Sequence, residues 1–144
     1  MPGYNTHRIF NYVIFIAIAA FALYESINLK QLLALGIGFY IGTDFLTPDL
    51  DTESTAIKRL GGFKILFLPY KWAFAHRQSS HNIIYGAVVR ILYISIIILV
   101  LYYVLFKSIP SGTLFFSVYS AYIIFFLIGI VIANALHVLL DGIF

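Results

Sequence analysis

The order of apolar and polar positions along the chain predicts four membrane-spanning helices with an amphipathic segment in the middle. Ile9 to Tyr24 is apolar apart from Asn11, and a second, shorter run extends from about Leu29 to Leu46. Gly36, Gly38 and Gly42 punctuate that second run at intervals suited to close helix contact. A third run covers about Ile83 to Phe106, interrupted by Arg90, and a fourth about Leu114 to Leu140. The fourth exceeds the roughly 20 residues a bilayer needs, so it is expected to tilt or protrude. The expected fold class is an all-α integral membrane protein of one domain, residues 1–144.

Residues 52–80 follow a different pattern. Lys58, Arg59, Lys64, Lys71 and Arg77 alternate with Phe63, Leu66, Phe67, Tyr70, Trp72 and Phe74, while Gly61-Gly62 and Pro69 break the run. The expectation is an interfacial segment, its basic groups at the phosphate level and its rings at the boundary. A pair of short re-entrant half-helices is the alternative.

Composition supports a membrane setting: 62% of residues are hydrophobic and 10% charged, against about 25% charged in soluble domains. The chain has no cysteine, which excludes disulfides, thiolate metal sites and a thiol nucleophile. A net charge of +3 without a Lys/Arg block argues against a nucleic-acid partner. With four spans, Arg8, Lys58, Arg59, Lys64, Lys71 and Arg77 fall on one side, against Lys30 and Lys107 on the other. That asymmetry orients both termini and the middle segment towards the cytoplasm, in the plasma membrane. Arg8, the apolar run and Ala20-Phe21-Ala22 also fit a cleaved signal peptide, which would leave three spans and remove His7.

The chemistry-bearing residues are few: four histidines and six acidic residues. His7 precedes the first span. Asp49 and Asp51 follow the second, in Pro48-Asp49-Leu50-Asp51. His76 and His81 precede the third, with Arg77 between them, and His137 and Asp141 end the fourth. The topology brings all of these to one membrane face. His137 and Asp141 are four apart, the spacing by which one helix face presents two ligands to one metal, and Asn134 shares that face. In extended chain, Asp49 and Asp51 would point to opposite sides. Ser79 or Ser80 is a suitable N-cap for the third span.

A lone interfacial His is ordinarily just a polar residue at headgroup level, and Asp in a Pro-Asp turn is often structural. Together they differ, because several such groups at one depth need a cation to satisfy them. His7, Asp49, Asp51, His76, His81, His137 and Asp141 are therefore the expected metal ligands. Imidazole and carboxylate without thiolate suit Zn²⁺ first, and also Mn²⁺ or Fe²⁺, as one or two ions. Open coordination positions would favour hydrolysis, with Asp51, His81 and Arg77 the catalytic candidates and an anionic phosphoester or lipid headgroup as substrate. The alternatives are a non-catalytic metal that pins helix ends and an ion carrier. The carrier would need polar groups across the bilayer, and the outer halves of the spans carry almost nothing ionisable. Depth counting also places Asp44 and Arg90 close enough to pair beneath the site, with Asp44 as a further metal ligand the alternative.

These motifs resemble the YdjM-like family of membrane-bound metal-dependent hydrolases, through the early His7, Pro48-Asp49-Leu50-Asp51, His76-Arg77-Gln78-Ser79-Ser80-His81 and His137-Val138-Leu139-Leu140-Asp141. The likeness is closer to a related group of uncharacterised metal-binding membrane proteins, through Lys58-Arg59-Leu60-Gly61 and Leu68-Pro69-Tyr70-Lys71 as well. The resemblance implies a metal site at these residues and, for the first family, a hydrolase. Gln78 departs from the glycine usual in the YdjM-like pattern.

Overall fold

The computed structural model describes residues 3–51, 55–73, 83–109 and 112–143. Among them the chain is helical. α1 spans Tyr4–Tyr24, α2 Leu29–Asp44, α3 Thr55–Arg59, α4 Leu68–Ala73, α5 Ile83–Phe106 and α6 Gly112–Ile143, with 3-10 segments at Pro48–Asp51 and Gly61–Phe67.

α1 begins earlier than the hydropathy boundary, so Tyr4, His7 and Arg8 are helical rather than lying ahead of the span. Its far end closes where the Ile27 amide donates to the Ala22 carbonyl at 3.0 Å and Ser26 takes a φ of 58°. The Asn28 side chain then caps α2 by accepting from the Lys30 amide at 2.9 Å. These local signals make a tight antiparallel hairpin, which returns the end of α2 to the start of α1.

α2 lies against α6, and two glycines set how closely. A Cβ built on Gly38 would sit 1.9 Å from the Phe126 carbonyl oxygen, and one on Gly129 2.2 Å from that of Leu35. The backbones thus approach nearer than any side chain allows, as small residues permit in membrane helices. Asn11 ties α1 to this pair, its Nδ2 donating to Thr43 Oγ1 and to the Ala133 carbonyl, both at 3.1 Å. The short elements between α2 and α5 pack on the bundle through Phe67 and Tyr70, against Leu46 and Ile130.

Among the described residues, three helices, α1, α5 and α6, are long and apolar enough to cross a membrane. Their outward faces are aliphatic and exposed, as at Ile16, Ile96 and Val118. These faces suit a bilayer and not water. α2 has 16 residues, about 24 Å of helix against a hydrocarbon core of about 30 Å.

Candidate metal centre

The antiparallel hairpin and the direction of α6 bring the first turns of α1, the exit of α2 and the last turns of α6 to one end of the bundle. His7 and His137 meet there as stacked rings, centroids 3.8 Å apart and 9° from parallel. His7 Nε2 lies 3.1 Å from Asp141 Oδ1. His137 Nε2 lies 3.5 Å from Asp141 Oδ2 and 3.5 Å from Asp49 Oδ2. Ligand atoms of His7, His137 and Asp141 all fall within 4.8 Å of one another.

Both imidazoles are 4% exposed, and the Asp49 side chain is the wetter wall at 28%. His7 Nδ1 is buried without a hydrogen-bond partner among the described residues. A buried imidazole nitrogen left this way is costly unless something else satisfies it. Nitrogen and carboxylate oxygen donors, drawn from three elements, are a set that could hold a metal ion.

The structure thus brings together His7, Asp49, His137 and Asp141. Asp51 lies in the same 3-10 segment as Asp49. His76, Arg77, Ser79, Ser80 and His81 lie outside the described residues. Pro48–Asp51 is a 3-10 turn, not the extended chain expected. The Asp49 amide donates to Thr47 Oγ1 at 3.0 Å, and this local bond folds the segment tightly and turns Asp49 towards His137.

The expected Asp44–Arg90 contact is corrected. Asp44, 1% exposed, is the hub of a separate cluster. Its Oδ1 accepts from Tyr4 Oη at 2.7 Å and Arg59 Nη1 at 2.9 Å and pairs with Arg8 Nε at 2.9 Å, while Oδ2 accepts from Tyr12 Oη. The Arg59 guanidinium also lies over the Tyr4 ring, 4.8 Å from its centre. Arg90 instead donates to Asn134 Oδ1 at 2.7 Å, and Asn134 Nδ2 donates on to the Ile130 carbonyl at 2.8 Å. The two residues face different neighbours: Asp44 turns to α1 and α3, Arg90 to α6.

The Asp44 cluster was missed although a signal exists. Tyr4, Arg8 and Tyr12 recur every four residues, and so do His7 and Asn11. They form two adjacent polar stripes on a helix whose other residues are mostly apolar. The first stripe serves Asp44; the second serves the histidine cluster and the Asn11 bridge.

No solved structure matches the chain. An uncharacterised protein of Aquifex aeolicus (strain VF5) is 39% identical over 61 residues, which is 41% of this chain and 43% of that protein. The aligned part thus spans less than half of that relative's length. Over residues 2–144 the sequence matches the family model described as "Uncharacterized metal-binding protein (DUF2227)", and the chain belongs to that family of metal-binding proteins.

Proposed function

We propose that this protein is a four-span membrane metalloprotein whose His/Asp centre serves hydrolysis of a phosphoester at the cytoplasmic headgroup level. The observation that carries the metal reading is the meeting of His7, from the start of the chain, with His137 and Asp141, from its last helix, at one buried place. His7, Asp49, His137 and Asp141 would hold the ion, with Asp51, His76 and His81 as further ligands for it or for a second one. A bound divalent cation supplies Lewis acidity and a water of lowered pKa. Asp51 and His81 are the residues to manage protons, and Arg77 the one to hold an anionic group. The YdjM-like resemblance supports the hydrolase assignment.

The fourth span is supported by the hairpin. α2 starts beside the end of α1 and finishes at Asp44, which bonds Tyr4 at the start of α1, so the two helices cover the same depth. Cytoplasmic termini, in the plasma membrane, follow from the Lys/Arg asymmetry of the sequence.

Metal content of the purified protein tests the centre. The wild type should carry one or two divalent ions per chain, His137→Ala should lose most of them, and Glu25→Ala, at the other end of the bundle, should keep them. Equal metal in the two variants would refute the site. A second reading, a non-catalytic metal that pins the helix ends, draws on the burial of both imidazoles. Metal-loaded protein that turns over neither phosphomonoesters nor phosphodiesters, yet loses thermal stability on chelation, would select that reading.

A further inference from the structure

α1 carries two buried polar atoms that the rest of the protein leaves unmatched. His7 is 4% exposed and Asn11 1%, and neither His7 Nδ1 nor Asn11 Oδ1 meets a hydrogen-bond partner among the described residues. We infer that Asn11 is a positioning residue for His7, a role that rests on the metal reading of the histidine cluster. Its side-chain carbonyl accepts the hydrogen bond of His7 Nδ1–H across one buried water, and so holds Nε2 towards the ion.

The two residues lie one turn apart on α1, and α6 meets them in matching order. His7 stacks on His137. Asn11 Nδ2 donates to the carbonyl of Ala133, four residues before His137 and so about one turn deeper in the bundle. Asp141 lies one turn the other way, and His7 Nε2 is 3.1 Å from its Oδ1. The two nitrogens of an imidazole look to nearly opposite sides of the ring. With Nε2 towards Asp141 at the end of the bundle, Nδ1 looks back towards the turn that holds Asn11.

The Asn11 amide is fixed the right way round for this task. Its Nδ2 is held by the Ala133 carbonyl and Thr43 Oγ1, both at 3.1 Å, and a backbone carbonyl can only accept. Turning the amide over would bring two acceptors together, so Oδ1 stays the free acceptor. His7 needs one. A neutral imidazole has a single ring proton, and when Nε2 ligates an ion that proton is on Nδ1, a buried donor that is costly to leave unmade. Side chains four apart on a helix have Cβ atoms about 5–6 Å apart, and a water hydrogen-bonded to both polar atoms spans such a gap. A partner on the second nitrogen of a ligating histidine fixes the ring's orientation and raises its basicity. Asn11 therefore has two separable duties: Nδ2 ties α1 to α2 and α6, and Oδ1 serves His7.

Zinc affinity of the full chain in detergent micelles, measured by competition with a chromophoric chelator, separates these duties. His137→Ala should lose zinc binding; wild-type affinity there would refute the metal reading and this role with it. Asn11→Leu should bind zinc about 10–100-fold more weakly. Thr43→Val takes a partner from Nδ2 but leaves Oδ1, and Asn11→Asp keeps an oxygen acceptor at the same place, so both should bind close to the wild-type affinity. Equal weakening in Asn11→Leu and Thr43→Val would reduce Asn11 to a helix tie and overturn the inference. Ring-¹⁵N spectra of histidine-labelled, zinc-loaded protein give a readout that a helix tie would not move. The His7 Nδ1 proton, assigned by its loss in His7→Gln, should be protected from exchange in the wild type and in Thr43→Val and unprotected in Asn11→Leu. No protected His7 Nδ1 proton in the zinc-loaded wild type would overturn the inference however the variants fold. Wild-type zinc affinity in Asn11→Leu, with His137→Ala still deficient, would overturn it while leaving the metal centre in place.

Discussion

Replacing Gly38 by alanine tests the link between helix packing and the metal centre. The added methyl carbon would lie 1.9 Å from the Phe126 carbonyl oxygen and 2.7 Å from its carbonyl carbon. Ordinary C···O contact begins near about 3.3 Å, so the overlap is about 1.4 Å. It is an overlap with backbone, which cannot rotate away, so α2 and α6 must separate or slide. Overpacking of this kind costs about 1–3 kcal/mol and occasionally more. The same displacement moves the turn that follows α2, and with it Asp49, which now lies 3.5 Å from His137. Two other glycines complete a graded series. Alanine at Gly42 would come 2.9 Å from Ala133 Cβ and 3.0 Å from the Ile130 carbonyl oxygen, a milder clash, whereas at Gly62 it would meet nothing within 4 Å. Thermal unfolding in detergent micelles and metal content per chain should therefore fall most in Gly38→Ala, less in Gly42→Ala and hardly at all in Gly62→Ala. A Gly38→Ala protein with the wild-type midpoint and the wild-type metal content would refute the reasoning.

Two further variants probe the buried polar groups. Asp44→Ala should cost about 2–4 kcal/mol in denaturant or thermal titrations, because Tyr4 and Tyr12 lose a charged acceptor at a buried position while Arg8 and Arg59 can turn to water; a loss under about 0.5 kcal/mol, the scale of an ordinary surface substitution, would contradict that role. Asn134→Leu, which takes one acceptor, Asn134 Oδ1, from the buried Arg90 guanidinium, should destabilise more than Arg90→Met, which removes the charge itself; the reverse order would show that the Asn134 bond is not what keeps the charge there.

What was legible in the sequence was whatever depends on position along the chain. Hydropathy, proline and glycine placement and the Lys/Arg distribution locate apolar helices and order their ends, because burial in lipid is decided segment by segment. From that one-dimensional order, His7, Asp49, His137 and Asp141 could be assigned to one level, and the four-residue spacing of His137 and Asp141 to one face. The tertiary structure alone decided which way each residue looks around its helix. Residue counting gives Asp44 and Arg90 compatible depths, yet Asp44 turns to Tyr4, Arg8, Tyr12 and Arg59 and Arg90 to Asn134. For Asp44 that choice goes with the rotation at which Gly38 and Gly129 let α2 and α6 meet at backbone distance, and for Arg90 with the face that α5 turns to Asn134 on α6. Rotation about a helix axis is a property of the pair in contact, so no count of residues along one chain segment contains it.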